Sequence, residues 1–246
     1  MLKRLSISAA ATLACMATAA QVKEYTVPFP KPIGHGTDTV KVIVIGDVMM
    51  HSRQLDYNCR TFLEGISPAL QQADIAIANM EFSLGGPPYS GYPAFSAPDE
   101  YAEYIKEGCG VDIFLTANNH ILDKGRKGLA RTLSIYDKIR VKHTGAASDS
   151  TALNDNYPLM ITKRGIRLAV INFTYGTNNP VGNKSGWPTV NMMHKDNVRA
   201  AIKKAKDRRA DFIIVIPHWG TEYSLSPDKR QEEWASWLAT EGADVI

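Results

Sequence analysis

The stretch VDIFLTANNHILDKG, residues 111–125, runs from a continuous apolar segment into two amides, an imidazole and a carboxylate: Asn118, Asn119, His120 and Asp123. A short apolar run without helical spacing reads as a strand buried on both faces, the kind that fills parallel sheets. The same form recurs along the chain, with VIVIG ending at Asp47, IAIANM at Glu81 and IIVIP at His218. In open α/β sheets ligands bind outside the carboxyl ends of the strands. Four strands therefore aim groups able to bind metal or move protons at one rim.

Helical segments alternate with these strands. SPALQQ (67–72) reads as a short helix with Ser67 as N-cap and Pro68 at the first helical position. DEYAEYIKEG (99–108), GLARTLSIYDKI (128–139), DNVRAAIKKAKDRRA (196–210) and KRQEEWASWLATEG (229–242) are the others, the last stopped by Gly242. PLMITKRGIRLAVINF (158–173) reads as a hairpin turning at Lys163, Arg164 and Gly165, and ADVI (243–246) as the start of a further strand. The pattern is that of an α/β protein with a largely parallel main sheet and a few antiparallel strands.

With 246 residues, 44% of them hydrophobic and 22% charged, the chain can bury a real core and shows no bias toward disorder. Lys3 and Arg4 ahead of an apolar run and small residues near Ala17, Ala19 and Ala20 form the layout of a secretory signal peptide over residues 1–20. Residues 21–39 then read as an extended leader, and residues 40–246 as the domain. Cys15 within TLAC offers a second reading, a lipid anchor at the mature N-terminus. Removal of residues 1–20 takes two basic and no acidic residues and lowers the net charge from +3 to +1. A nearly neutral chain gives no electrostatic case for nucleic acid as partner. Cys59 and Cys109 either form one disulfide in an exporting context or remain partly buried thiols.

Asp47 and Glu81 offer hard anionic oxygens, Asn119 a neutral oxygen and His218 a borderline nitrogen, a donor set suited to one or two divalent ions such as Mn, Zn or Fe. Such ions promote hydrolysis, most naturally at phosphorus. Asp123 either orients His120 through its far ring nitrogen or caps the helix that follows. His51 and Arg53, close behind Asp47, either face an anionic substrate or lie on the surface. No glycine-rich phosphate loop and no nucleophile elbow is present.

VIGDVMM, ADIAIANMEFSL, FLTANNHILDKG, the TGA at 144–146, NFTYGTN and IPHWGTEY, in this order, resemble the bacterial capsule-synthesis CapA family, also called poly-γ-glutamate biosynthesis proteins, over about residues 40–246. That family is similar to the calcineurin-like metallophosphoesterases. The resemblance implies a four-layer α/β/β/α sandwich with a two-metal centre at the strand ends. It makes Asp47 a first metal ligand, Glu81 the bridging carboxylate, Asn119 and His218 further ligands, and His120 the proton donor or transition-state stabiliser. Tyr175, Asn178, Glu222 and Tyr223 would line the substrate side.

Two positions depart from the superfamily pattern. Met49 stands where its DxH motif has the histidine, a substitution usual in the CapA branch, and its GxHxH motif is expected after ADVI, beyond Ile246. The expectation is thus a C-terminally truncated sandwich, either a fragment or a member with a reduced site. The implied function is an exported protein of capsule, poly-γ-glutamate or related envelope-polymer biosynthesis. It would carry a metal-dependent phosphoesterase-like site acting on an anionic polymer or phosphoester, beside other envelope biosynthesis proteins. The alternative is a non-catalytic component that binds polymer or assembly partners.

Overall fold

The computed structural model describes residues 39–183 and 185–246. The expected signal peptide, Cys15 and the leader up to residue 38 lie outside the described residues. In chain order the elements are β1 (Val42–Val48), α1 (Ser67–Gln71), β2 (Ile75–Met80), α2 (Asp99–Glu103), β3 (Ile113–Leu115), α3 (Gly125–Lys138), β4 (Lys142–Thr144), β5 (Ala146–Ala147) and α4 (Ser150–Asn156). There follow β6 (Leu159–Lys163), β7 (Ile166–Thr174), β8 (Thr189–Val190), α5 (Lys195–Asp207), β9 (Phe212–His218) and α6 (Lys229–Glu241).

The chain folds as a mixed α/β protein. β1, β2, β3 and β4 form a parallel sheet in that order. β6, β7 and β9 form a second sheet in which the β6–β7 hairpin is antiparallel and β7–β9 parallel. Arg164 (φ 49°) and Gly165 (φ 74°) make the two-residue turn of that hairpin, the left-handed pair that matches strand twist. β5 and β8 add a two-stranded antiparallel ribbon.

Alternation along the strands assigns the faces. Val42, Ile75, Ile77, Ile113 and Leu115 of the first sheet meet Leu159, Ile166, Leu168 and Val170 of the second in one apolar cluster. The opposite face of the first sheet, with Ala76, Ala78, Met80 and Phe114, packs on Leu70, Tyr101 and Tyr136 from α1, α2 and α3. The opposite face of the second, with Ala169, Ile171, Phe173, Ile213 and Val215, packs on α5 and α6 through Val198, Ile202, Trp234 and Leu238.

Register is fixed by a repeated device. Asp74, Asp112, Asp211 and Asp244 each stand just before a strand or the terminal segment, within ADI, VDI, ADF and ADV. Each donates its backbone N–H to a carbonyl on the neighbouring strand (Lys41, Ala76, Arg167 and Ile213). Each then accepts that same residue's N–H on its carboxylate, at 2.8 Å in all four cases. A paired backbone N–H at a strand end avoids the cost of an orphan donor. Val245 accordingly bridges Ile214 in parallel, the strand-like start expected of ADVI.

Some expectations are corrected. Ser67 is not an N-cap: Ile66 holds that position, and the Ser67 hydroxyl donates to Leu63 O at 2.7 Å inside the turn. The helix expected over 99–108 is α2 followed by a π-helical turn over 104–108. Of the two readings of Cys59 and Cys109, the structure shows the thiols: among the described residues neither forms a disulfide.

Candidate metal centre

Asp47 reaches the site through a break in β1. Strict alternation would place it with Ile43 and Ile45 on the helix-packed face. The register with β2 shifts between Ile45 and Asp47, so Asp47 pairs with Asn79 and Val48 with Met80. The extra residue, Gly46, turns Asp47 to the inter-sheet side and returns Val48 to the helix-side core, the re-aiming that bulges commonly perform beside functional sites.

The strand ends bring three ligand-type side chains together. Ligand atoms of Asp47, Glu81 and His218 all lie within 4.8 Å of one another. His218, at the end of β9, places Nδ1 3.5 Å from Asp47 Oδ1 and Nε2 4.0 Å from Glu81 Oε1. Asn119 joins them, its Oδ1 2.8 Å from His218 Nε2. A cavity of about 160 Å³ lies beneath Asp47 and His218, with Val44, Asn79 and Asn172 among its lining residues.

The two carboxylates are tuned in opposite directions. Burial pushes Asp47 up, but hydrogen bonding to His218 and Asn79 and the charge of His218 outweigh it and hold the group at about 2. Glu81 is raised to about 9, first by burial and then by the negative charge of Asp47. Glu81 Oε2 is buried and, among the described residues, has no hydrogen-bond partner. An unmet carboxylate oxygen inside a protein is costly unless a cation answers it, and with two carboxylates, an amide oxygen and an imidazole converging, the residues fit a divalent ion.

Beside this cluster is a proton-handling pair. His120 Nδ1 lies 2.7 Å from Asp123 Oδ2, which also accepts Phe95 N at 2.7 Å. Asp123 therefore holds the ring and does not cap α3, whose N-cap is Lys124. With Nδ1 held, His120 turns Nε2 inward, 3.9 Å from Glu81 Oε1. Asn178 closes on the same ring, its Nδ2 3.3 Å from both ring nitrogens, while its backbone N donates to Asn119 O.

The remaining expected residues divide. Tyr175 stacks on His218 with 6.0 Å between ring centroids. Burial, then the charges of Glu222 and Glu81, push its phenol above the usual range, so Glu222 is part of the same field. His51 stands edge-on to Phe95 at 5.0 Å, and Phe95 edge-on to His120 at 4.6 Å. Arg53 lies exposed on a 3₁₀ turn, and Tyr223 is fully exposed with φ 63°. Missed from the sequence were Asn79 and Phe95, while Asn118 was noted at its strand end without a role. Asn79 left a readable signal, since it is the only polar side chain in IAIANM, a strand buried at every position.

Two carboxylates, an amide and an imidazole gathered at strand ends, with a buried histidine–aspartate pair alongside, define an α/β protein with a candidate metal centre. Residues 41–246 match the profile described as "Bacterial capsule synthesis protein PGA_cap", and the chain belongs to that family. It is 27% identical over 229 aligned residues to the capsule biosynthesis protein CapA of Bacillus anthracis, covering 87% of this chain and 55% of that one. Against the PGA biosynthesis protein CapA of Bacillus subtilis it is 25% identical over 232 residues, covering 88% and 58%. The chain thus spans a little over half the length of these relatives. Among solved structures it is similar to a Staphylococcus aureus protein described as a 5′-nucleotidase, in complex with alpha-ketoglutarate, with a TM-score of 0.48 and 16% identity over 83% of this chain and 43% of that one. Among the described residues no helix is long and apolar enough to cross a membrane.

Proposed function

We propose that this capsule-synthesis family protein is a metal-dependent phosphoesterase-like hydrolase, exported through residues 1–20, that acts on an anionic envelope polymer of the poly-γ-glutamate class or on a phosphoester of its metabolism. The observation that carries the reading is the buried, unpartnered Glu81 Oε2 inside the Asp47, Glu81 and His218 cluster. Asp47, Glu81, Asn119 and His218 hold the divalent ion, of the Mn, Zn or Fe type. When bound, such an ion polarises the scissile group and activates water near neutral pH.

The chain's own groups do the rest. His120 presents Nε2 to the leaving oxygen and gives it a proton, while Asp123 on Nδ1 fixes the ring and stabilises its charged form. Asn178, within reach of His120 and Asn119, and Tyr175, over His218, bound the space in which the substrate is oriented. Burial of Glu81 and Asp123 keeps bulk water from weakening these interactions.

A second reading, a non-catalytic polymer-binding or assembly component, is favoured by Met49, whose side chain joins the helix-side apolar cluster where a DxH motif would supply a ligand. Reconstitution decides between the two. Protein dialysed against EDTA and loaded with Mn or Zn is expected to retain metal and cleave a generic phosphodiester such as bis-p-nitrophenyl phosphate. Protein that retains none and cleaves nothing would be the non-catalytic component.

A further inference from the structure

We infer that the pole of the domain where the parallel strands begin, opposite the metal centre, is a basic face that docks on anionic phospholipid headgroups. Three helices close at this pole with the same turn. In α3, α5 and α6 one residue donates its N–H to the carbonyl three back, and the next residue donates to the carbonyl five back (Arg140 and Val141, Arg209 and Ala210, Gly242 and Ala243). The first of each pair must be left-handed, and glycine is the usual choice because it has no Cβ to clash. α6 uses Gly242 (φ 104°), whereas α3 uses Arg140 (φ 56°) and α5 uses Arg209 (φ 58°). The hairpin turn at the same pole adds Arg164 (φ 49°). A left-handed arginine carries the steric cost that glycine avoids, and an outlier of this kind, placed three times on one face, points to a use for the charge.

The acids of this pole are already engaged. Asp74, Asp112, Asp211 and Asp244 each accept a backbone N–H of the neighbouring strand. Asp74 and Asp211 also meet Arg164 at 2.8 Å and Arg167 at 3.3 Å. Lys41, Lys138, Arg140, Lys142, Lys163 and Arg209, by contrast, are exposed and make no ion pair among the described residues. The carboxylates of Asp47, Glu81 and Asp123 lie at the other end of the strands, so charge is separated along the strand axis. Clusters of about four to eight Lys and Arg on one face are what anionic lipid surfaces attract.

The course of the chain selects a lipid surface over a soluble polyanion. The Thr39 carbonyl lies 3.3 Å from Arg164 Nη1, and Lys41 N donates to Asp74 Oδ2. Residues 1–38 therefore join the domain at the basic face, and they include the apolar run of residues 1–20. A segment that enters the membrane there brings this face against the headgroups. One inserted chain attaches weakly, and a basic patch beside it is the second signal that makes attachment stable. The metal centre then faces away from the lipid. The inference does not rest on the hydrolase reading, because no ion takes part in it.

The test is flotation of the full chain in EDTA with vesicles of phosphatidylglycerol and phosphatidylcholine in equal parts, and with vesicles of phosphatidylcholine alone. The neutral vesicles report attachment by residues 1–20, and the difference between the two reports the face. Wild type is expected to bind the anionic vesicles about tenfold more tightly or better, a preference that fades as salt rises. Changing all the unpaired cations named above to Gln should abolish the preference. Arg140→Gly with Arg209→Gly removes charge and steric cost together. It should lower anionic binding about fivefold or more, with a melting temperature at or above that of wild type. Arg140→Lys with Arg209→Lys should keep the binding. Arg60→Gln with Lys229→Gln, an equal change of charge beyond the strand ends, should leave it unaltered. A wild type without the preference, or a glycine pair that binds as wild type does, overturns the inference. A control pair that loses as much as the glycine pair also overturns it, since the effect would be one of net charge. Charge-dependent binding to soluble polyglutamate, in a protein indifferent to anionic vesicles, overturns it by assigning the face to polymer.

Discussion

Glu81 and Asp123 are both buried carboxylates beside His120, with side chains 7% and 3% exposed, yet their surroundings differ in kind. Asp123 Oδ2 is met by His120 Nδ1 and by Phe95 N, both at 2.7 Å. Among the described residues Glu81 Oε2 has no hydrogen-bond partner, and burial together with the negative charges of Asp47, Glu222 and Asp123 raises the group. One half of the site is satisfied by the chain itself; the other is electrically unfinished. The contrast marks where the proposed ion would sit, because protein interiors leave few polar atoms unpaired and an ionised carboxylate without a partner is among the most costly of them.

The largest effect expected from breaking the contrast is at Glu81. Glu81→Gln should reduce Mn or Zn affinity by about 10³-fold or more, beyond the 10- to 100-fold that loss of an outer partner costs. The same substitution should stabilise the metal-free protein at neutral and alkaline pH. Glu81 is held at about 9 against an ordinary value of 4.5, so its folded-state contribution is fully present below pH 4.5 and is lost as pH rises toward 9. By pH 7 the loss amounts to roughly 3 kcal/mol. Thermal melts in EDTA between pH 5 and 9 should show wild type falling and Glu81→Gln nearly flat; parallel curves would place Glu81 in an ordinary polar setting.

On the satisfied half the effects are kinetic and smaller. His120→Ala should lower the rate of phosphodiester cleavage about 10²-fold or more while leaving metal content unchanged. Asp123→Asn keeps an oxygen for Phe95 N but presents the ring with a neutral partner. A loss of about tenfold is expected, part of the 10² to 10⁴ that acid–base catalysis supplies. If His120→Ala retains the full rate, proton transfer runs through another group.

The sequence made some of this legible and hid the rest for physical reasons. Strand ends at Glu81, Asn119 and His218 were readable because buried parallel strands are apolar throughout, so the first polar residue marks the rim. The hairpin turn at Arg164 and Gly165 was readable from its residue types. Short strands were not: Lys142–Thr144, Ala146–Ala147 and Thr189–Val190 are three, two and two residues long, below any period. The ADI, VDI, ADF and ADV tetrad marked the strand starts in plain view, but its meaning lies in a carboxylate accepting from a neighbouring strand, a partner remote in sequence. The bulge at Gly46 was hidden for the same reason, since register exists only between strands.

That bulge sharpens the smallest prediction. Met49→His creates a DxH spacing after β1, and spacing alone would foresee a gained ligand. The bulge, however, has already used its one reversal of facing to bring Asp47 inward. Beyond it Val48 and Met49 pack with the helix-side apolar cluster, and the Met49 carbonyl faces the Tyr101 hydroxyl at 3.4 Å. A histidine there meets Phe, Tyr and Leu side chains in place of carboxylates. Metal affinity should change by less than about threefold, while burying an imidazole among apolar groups should destabilise the fold by about 1–2 kcal/mol. A clear gain in Zn affinity from Met49→His, measured by competition with a chromogenic chelator, would show that β1 can rotate its end toward the site and that the unfinished half is completed by motion of the strand as well as by an ion.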